Sequence, residues 1–266
     1  MRPHYLSALF APKSVAMFGA SDSPDSVGQV VFKNLLEGDF KGDIYAINPK
    51  QEQVQGQKAY PDLEAFGEDV DLAIVATPAR TVPGIVEQCG NYGIKSMIIL
   101  SAGFREVGET GRAIEEKVKD AARSHGIRFM GPNCLGLIRP SIGLNATFGN
   151  NKAAEGGIAL VSQSGALCTS ILDWAENRDV GFSAVVSTGI AADLDFGDIL
   201  DYLASDPKTD SIILYIEGLT DSRRFMSGLR AAARIKPVIA IKAGRHSEGA
   251  AASMSHTGAL VGGDEA

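Results

Sequence analysis

The chain predicts an α/β fold with two parallel sheets, and three observations carry the prediction. Short apolar runs rich in β-branched residues alternate with stretches of helical periodicity along the chain. The runs end in small-residue turns such as Gly19-Ala20-Ser21 and Gly131-Pro132-Asn133. One polar, Gly/Asn-rich stretch, 145–157, interrupts the alternation and splits it into two blocks. Strands separated by helices imply right-handed βαβ crossovers and parallel pairing.

In the first block, strands are expected at 14–19, 43–47, 72–76, 96–100 and 128–130. Leu72-Ala73-Ile74-Val75-Ala76 is apolar throughout, as a strand buried on both faces must be. Helices are expected at 27–37, 82–92 and 109–125, where apolar residues recur three or four apart, as Val27, Val30 and Val31 do. This is a Rossmann-like domain over 1–128, followed by a connecting segment over 129–150. In the second block, strands are expected at 158–161, 182–187, 211–216 and 238–241, and helices at 166–177, 197–205 and 222–235. That block, 151–266, reads as a flavodoxin-like domain truncated at its C-terminus. The closing Gly262-Gly263-Asp264-Glu265-Ala266 looks like the first turn of an undeveloped helix, so the sequence is expected to be an excised piece or a subunit fragment.

At 266 residues there is room for two cores. The net charge of −7 argues against nucleic acid or an anionic membrane as partner, so any basic site must be local. No apolar run is long enough to span a bilayer, and residues 1–10 lack a signal-peptide core. Cys89, Cys134 and Cys168 are odd in number and far apart, which gives neither a zinc-ligand spacing nor a disulfide framework. A reducing cytoplasm is the expected compartment, and no metal site is expected in these residues.

Ligands of parallel sheets bind beyond the carboxyl ends of the strands. There the first block offers Gly19-Ala20-Ser21, Asn48-Pro49-Lys50, Thr77-Pro78, Ser101-Ala102-Gly103 and Asn133. Free amides at the helix start near Val27-Gly28 favour a phosphate. The Gly-x-Gly-x-x-Gly fingerprint is absent, and Lys50 stands where a ribose-binding carboxylate would be expected. A ligand with an extra phosphate suits that exchange, and both NADP and coenzyme A have one. Cys134 reads as a packed thiol.

The second block offers an anion site at Ser162-Gln163-Ser164-Gly165, where Ser164 can cap a helix and the following amides can hold phosphate. Ser162 stands where a hydrolase elbow requires glycine, so that motif fails. The strand Ile213-Leu214-Tyr215-Ile216 ends in Glu217. Ser255-His256-Thr257-Gly258 places an imidazole among small residues, where a neutral ring nitrogen is a good nucleophile near neutral pH. Glu217 could accept the Nδ1 proton of His256 and leave Nε2 to attack phosphorus. Asp193 and Asp195 are expected to be structural. His4, His125 and His246 are expected at the surface.

Together these landmarks resemble the NDP-forming acyl-CoA synthetase family, which includes ADP-forming acetyl-CoA synthetase and the α subunit of succinyl-CoA synthetase. The resemblance covers essentially the whole chain. It implies a CoA-binding Rossmann domain (Gly19, Ala20, Ser21, Asn48, Pro49, Lys50, Thr77, Pro78, Ser101, Ala102, Gly103, Asn133) and a ligase domain carrying a phosphohistidine loop. His256 and Glu217 would be catalytic, and Ser162, Ser164, Gly165 and Gly258 would bind phosphate. The implied reaction interconverts acyl-CoA (acetyl-CoA is expected), ADP and phosphate with acid, CoA and ATP. ADP, ATP and magnesium would be held by an ATP-grasp domain or subunit outside these residues. The segments Ile171-Leu172-Asp173-Trp174-Ala175, Asp201-Tyr202-Leu203-Ala204 and Asp221-Ser222-Arg223-Arg224-Phe225 also resemble a second branch. There the same module is fused to a GNAT domain in protein lysine acetyltransferases and senses acyl-CoA.

Overall fold

A computed structural model describes residues 4–243 of the chain. The first unit comprises α1 (Ser7–Phe10), β1 (Ser14–Phe18), α2 (Val27–Glu37), β2 (Asp43–Ile47), β3 (Gln53–Val54), β4 (Gln57–Tyr60), β5 (Leu72–Val75), α3 (Val82–Tyr92), β6 (Ser96–Ile99), α4 (Glu109–His125) and β7 (Arg128–Met130). The second comprises β8 (Gly136–Arg139), β9 (Leu144–Thr147), β10 (Glu155–Ser162), α5 (Gly165–Glu176), β11 (Phe182–Ser187), α6 (Phe196–Ser205), β12 (Ser211–Ile216), α7 (Ser222–Ala233) and β13 (Val238–Lys242).

The two sheets run β3-β4-β2-β1-β5-β6-β7 and β13-β12-β10-β11-β8-β9. Pairing is parallel from β4 to β7 and from β13 to β11. Each sheet also carries an antiparallel hairpin that the sequence reading lacks, so neither is purely parallel. In the β3–β4 hairpin, Gln55 and Gly56 both adopt positive φ (49° and 76°), the geometry of a tight two-residue turn. The second hairpin, β8–β9, lies within the expected connecting segment. It extends the second sheet by pairing antiparallel with β11. Every residue of β8 and β9 is buried, including Arg139, Asn145 and Thr147, which is why no polar/apolar alternation betrays them. The polar stretch 145–157 likewise ends inside β10, which starts at Glu155.

Local chemistry fixes the helix ends. Ser26, Ser164 and Asp221 accept from amides of the first turns of α2, α5 and α7, and Asp195 with Asp198 forms a capping box on α6. Gly93 and Gly126 terminate α3 and α4 in the left-handed conformation. Among the described residues, no helix is long and apolar enough to cross a membrane.

One core cluster passes through both units, taking Met17, Ile74 and Ile98 from the first and Val161, Val186 and Leu214 from the second. A backbone seam reinforces it. The amides of Ile190, Ala192 and Leu194, in the loop after β11, donate to the carbonyls of Pro132, Gly131 and Phe129 at 3.0, 3.0 and 3.2 Å. Gly189 (φ 54°) permits the approach, since a Cβ there would lie 2.3 Å from the Asn133 oxygen. Asp193 accepts from Arg128 Nε and the Phe129 amide, and buried Asp198 accepts from Arg128, Arg224 and Tyr5. Asp193 thus ties the loop to β7, and Asp195 caps α6. The two described histidines lie at the surface, as expected, with side chains 22% exposed and each in a local contact. His125 Nε2 sits 2.7 Å from Glu87 with its ring against Gly90, and His4 stacks on Tyr5 and contacts Asp201. His246 lies outside the described residues.

The Arg139–Asp206 pair, 2.8 Å apart and almost wholly buried, ties β8 to the end of α6. Burial pushes the Asp206 carboxyl up, but the guanidinium, Thr209 and the Lys208 amide outweigh it and hold the group below its ordinary value. The stability it confers is present above its unfolded pKa of about 3.9 and is lost as pH falls through the lower folded-state value. Arg139→Met should therefore lower the unfolding free energy at pH 7 by about 3–5 kcal/mol and flatten its decline in acid. Denaturant titrations from pH 7 to 3 check this, and an unchanged acid slope would contradict it.

Candidate active site

In the first sheet, the turn after β1 packs backbone on backbone. A Cβ on Gly19 (φ 88°) would lie 2.5 Å from the Ala76 oxygen, and one on Gly28 would lie 1.9 Å from the Gly19 oxygen. The helix start thus comes against the turn, the close approach that a phosphate cradle needs. Asn48 fixes the neighbouring strand end: its Nδ2 donates to the Ala20 oxygen at 2.9 Å and its Oδ1 accepts from the Lys50 amide at 2.8 Å. Pro49 and Lys50 remain exposed. Ser101 Oγ accepts from the Thr77 amide at 3.2 Å, and the Ser101 carbonyl accepts from the Asn133 amide at 2.9 Å. The structure therefore strings the predicted residues Gly19, Ala20, Ser21, Asn48, Lys50, Thr77, Pro78, Ser101 and Asn133 along one sheet end. Ala102 and Gly103 follow Ser101, but the Gly103 amide is taken by Glu106 Oε1 at 2.7 Å.

In the second sheet, Ser162 is fully buried, and its Oγ accepts from the Ser164 amide and donates to the Ser164 carbonyl. Ser164 Oγ caps α5 by accepting from the Leu167 amide at 3.2 Å. Both hydroxyls are thus engaged in building the turn. The approach to this turn leads to the first amides of α5, at Gly165 and Ala166, with the helix dipole behind them. Gly165 keeps that approach narrow but open, since a Cβ there would sit 3.1 Å from Leu135 Cβ.

Glu217 is 6% exposed at the end of β12, and its carbonyl accepts from Lys242 Nζ at 3.2 Å. The residue that locates it is Gln163. Gln163 Oε1 accepts from the Glu217 and Gly218 amides at 2.6 and 2.9 Å, and its Nε2 donates to the Gly218 carbonyl at 2.9 Å. His256 and Gly258 lie outside the described residues.

Two cavities share Gln163, Gly189 and Ile190 as a common wall. One, of about 370 Å³, brings Asn133 and Leu135 together with Gly165, Ala166 and Phe148. The other, of about 290 Å³, lies between Arg105 and the Gly218–Asp221 turn. Arg105, whose guanidinium donates to the Ile190 carbonyl, and the Gly189-Ile190 loop escape the sequence reading because nothing local marks them. The cysteines contribute no thiolate: burial pushes Cys89, Cys134 and Cys168 each up to about 12. Among the described residues no group of His, Cys, Asp and Glu could hold a metal ion.

Residues 13–140 match the CoA binding domain family, and residues 155–266 match the succinyl-CoA ligase like flavodoxin domain family. The chain is 44% identical over 261 residues to acetate–CoA ligase [ADP-forming] I of Archaeoglobus fulgidus, covering 98% of this chain and 38% of that protein. It is 42% identical over 264 residues to the α subunit of acetate–CoA ligase [ADP-forming] I of Pyrococcus furiosus, covering 98% of this chain and 57% of the relative. A solved structure of dinucleotide forming acetyl-coenzyme A synthetase 1 from Ca. Korarchaeum cryptofilum, in complex with phosphate and ADP, superposes with a TM-score of 0.91 at 39% identity. That match covers 97% of this chain and 55% of the other. The chain thus spans less than two thirds of the length of each of these three proteins.

The packing of the first turn is directly testable. Gly28→Ala should destabilise the fold by about 1–3 kcal/mol through overpacking against the Gly19 carbonyl. Gly84→Ala, with nothing within 4 Å of its Cβ, should instead stabilise it by about 0.4–1 kcal/mol. Equal effects in denaturant unfolding would contradict the packing argument.

Proposed function

We propose that the chain is the CoA-binding and phosphohistidine-bearing part of an ADP-forming acyl-CoA synthetase of the NDP-forming acyl-CoA synthetase family, with acetyl-CoA as the expected thioester. The observation that carries the reading is the common cavity. Asn133, at the last turn of the CoA-type sheet, and Gly165, at the N-terminus of α5, line the same space. A thioester lying along the first sheet end would reach the amides best suited to an attacking phosphate.

The first unit suits coenzyme A. The Gly19–Gly28 approach leaves the backbone bare for a pyrophosphate, and exposed Lys50 offers a cation to the 3′-phosphate. In the proposed route, phosphate attacks the thioester carbonyl, giving acyl phosphate and free CoA. His256 Nε2 then takes the phosphoryl group and releases the carboxylic acid. The loop carries the group to ADP on an ATP-grasp partner, where magnesium would also be held. Glu217 would accept the Nδ1 proton of His256, and the α5 amides would stabilise the charge on the transferring phosphoryl. Buried, unpaired cysteines fit a reducing cytoplasm. Nothing in the described residues favours the acyl-CoA-sensing alternative over this reading, and both use the CoA crevice.

Two outcomes test the proposal. With its nucleotide-binding partner and ATP, the full-length protein should acquire an acid-labile phosphoryl label, and His256→Ala should abolish it. Label persisting in that variant would overturn the assignment. Separately, Lys50→Glu should weaken CoA binding roughly tenfold by calorimetry, while barely changing dephospho-CoA binding. Equal losses for both ligands would remove Lys50 from the 3′-phosphate site.

A further inference from the structure

We infer that Gln163 is a positioning residue for the phosphoryl-transfer site, acting through Glu217; the inference rests on the function proposed above. Gln163 occupies the single position between the last residue of β10 and Ser164, the cap of α5. Its backbone amide donates to the Tyr215 carbonyl at 3.2 Å, continuing the parallel pairing of β10 with β12. Its side chain then carries the ladder past the end of β12. Oε1 faces two amides, of Glu217 and Gly218, and Nε2 faces one carbonyl, of Gly218. With two donors on one side and an acceptor on the other, the orientation of the amide group is unambiguous.

The consequence is geometric. β12 ends at Ile216, and among the described residues its strand pairing with β10 and β13 reaches no further than Tyr215 and Ile216. The Gln163 side-chain amide holds Glu217 and Gly218 beyond that point, and does so from the residue that leads into α5. The carboxylate that would orient the histidine and the amides that would hold the phosphate are thereby set at a fixed separation by one side chain. Gln163 also lines both cavities, so its clamp lies at the wall between them. An apolar residue of the same length would leave the Glu217 and Gly218 amides and the Gly218 carbonyl without this partner. Residues that orient a catalytic group from behind contribute about 10–100-fold where they have been measured in metal sites.

The test is a double-substitution cycle in the full-length protein with its nucleotide-binding partner, reading the rate of His256 phosphorylation from ATP and the KM for CoA and phosphate. Gln163→Met should lower the phosphorylation rate about 10–100-fold and leave the KM for CoA unchanged. Gln163→Glu, which keeps the oxygen that accepts from the Glu217 and Gly218 amides but replaces the donor to the Gly218 carbonyl with an acceptor, should fall between Met and wild type. It carries the test alone if the Met variant does not fold. In a Glu217→Gln background either substitution should cost at most a few-fold further, because its route of action is gone. Full additivity of the two substitutions, a wild-type rate in both Gln163 variants, or a change confined to KM would overturn the inference. Wild-type protein that takes no label on His256 would instead overturn the underlying reading, so the two failures are distinct.

Discussion

Three backbone hydrogen bonds hold the two sheets in one frame. Ile190, Ala192 and Leu194 donate across the boundary to Pro132, Gly131 and Phe129, and Gly189 makes room for the approach. Each such bond contributes only about 1 kcal/mol net. They act together with a continuous apolar core and with the charged cluster of Arg128, Asp193, Asp198 and Arg224. Removing one partner of a buried pair in such a cluster leaves an uncompensated charge, so the seam resists piecemeal loosening. Its effect is to bring the turn after β7 and the start of α5 onto a single cavity.

The electrostatics of that cavity come from the backbone. The chain carries a net charge of −7, and the polar residues lining the cavity beside α5 are Asn133, Gln163 and Thr169. Amides at a helix start supply local positive potential without a mobile cation. Ser162 and Ser164 look like phosphate ligands by residue type, yet their hydroxyls hold the turn in shape. What they contribute is the direction of the amides that follow. Asn48 stands in the same relation to the first turn, bridging Ala20 and Lys50.

Much of this was legible in the sequence because the signals are local. The strand Leu72–Val75 is an uninterrupted apolar run, Met97–Ile99 continues the pattern in β6, and α2, α3 and α4 begin and end where their periodicity places them. The missed features are tertiary. Arg139 looks like a surface residue until Asp206, 67 positions away, is seen to neutralise it, and so β8 reads as loop. Gln163 carries no role in the sequence because its partners, Glu217 and Gly218, lie 54 and 55 positions away. The Gly189-Ile190 loop likewise gains meaning only from the turn it meets. The motif that first suggests phosphoryl transfer, around His256, lies outside the described residues, so the account stands on the cavity that would receive it.

If the seam is what unites the two halves of the site, its amides must be as hard to open as the sheets themselves. Native-state hydrogen exchange measures this residue by residue. The account predicts that Ile190, Ala192 and Leu194 exchange with protection comparable to amides in β10 and β11, with all of them opening in the same cooperative event. Exchange at those three positions as fast as in a solvated surface loop, while β10 and β11 stay protected, would show two sheets that meet without being joined and would contradict it.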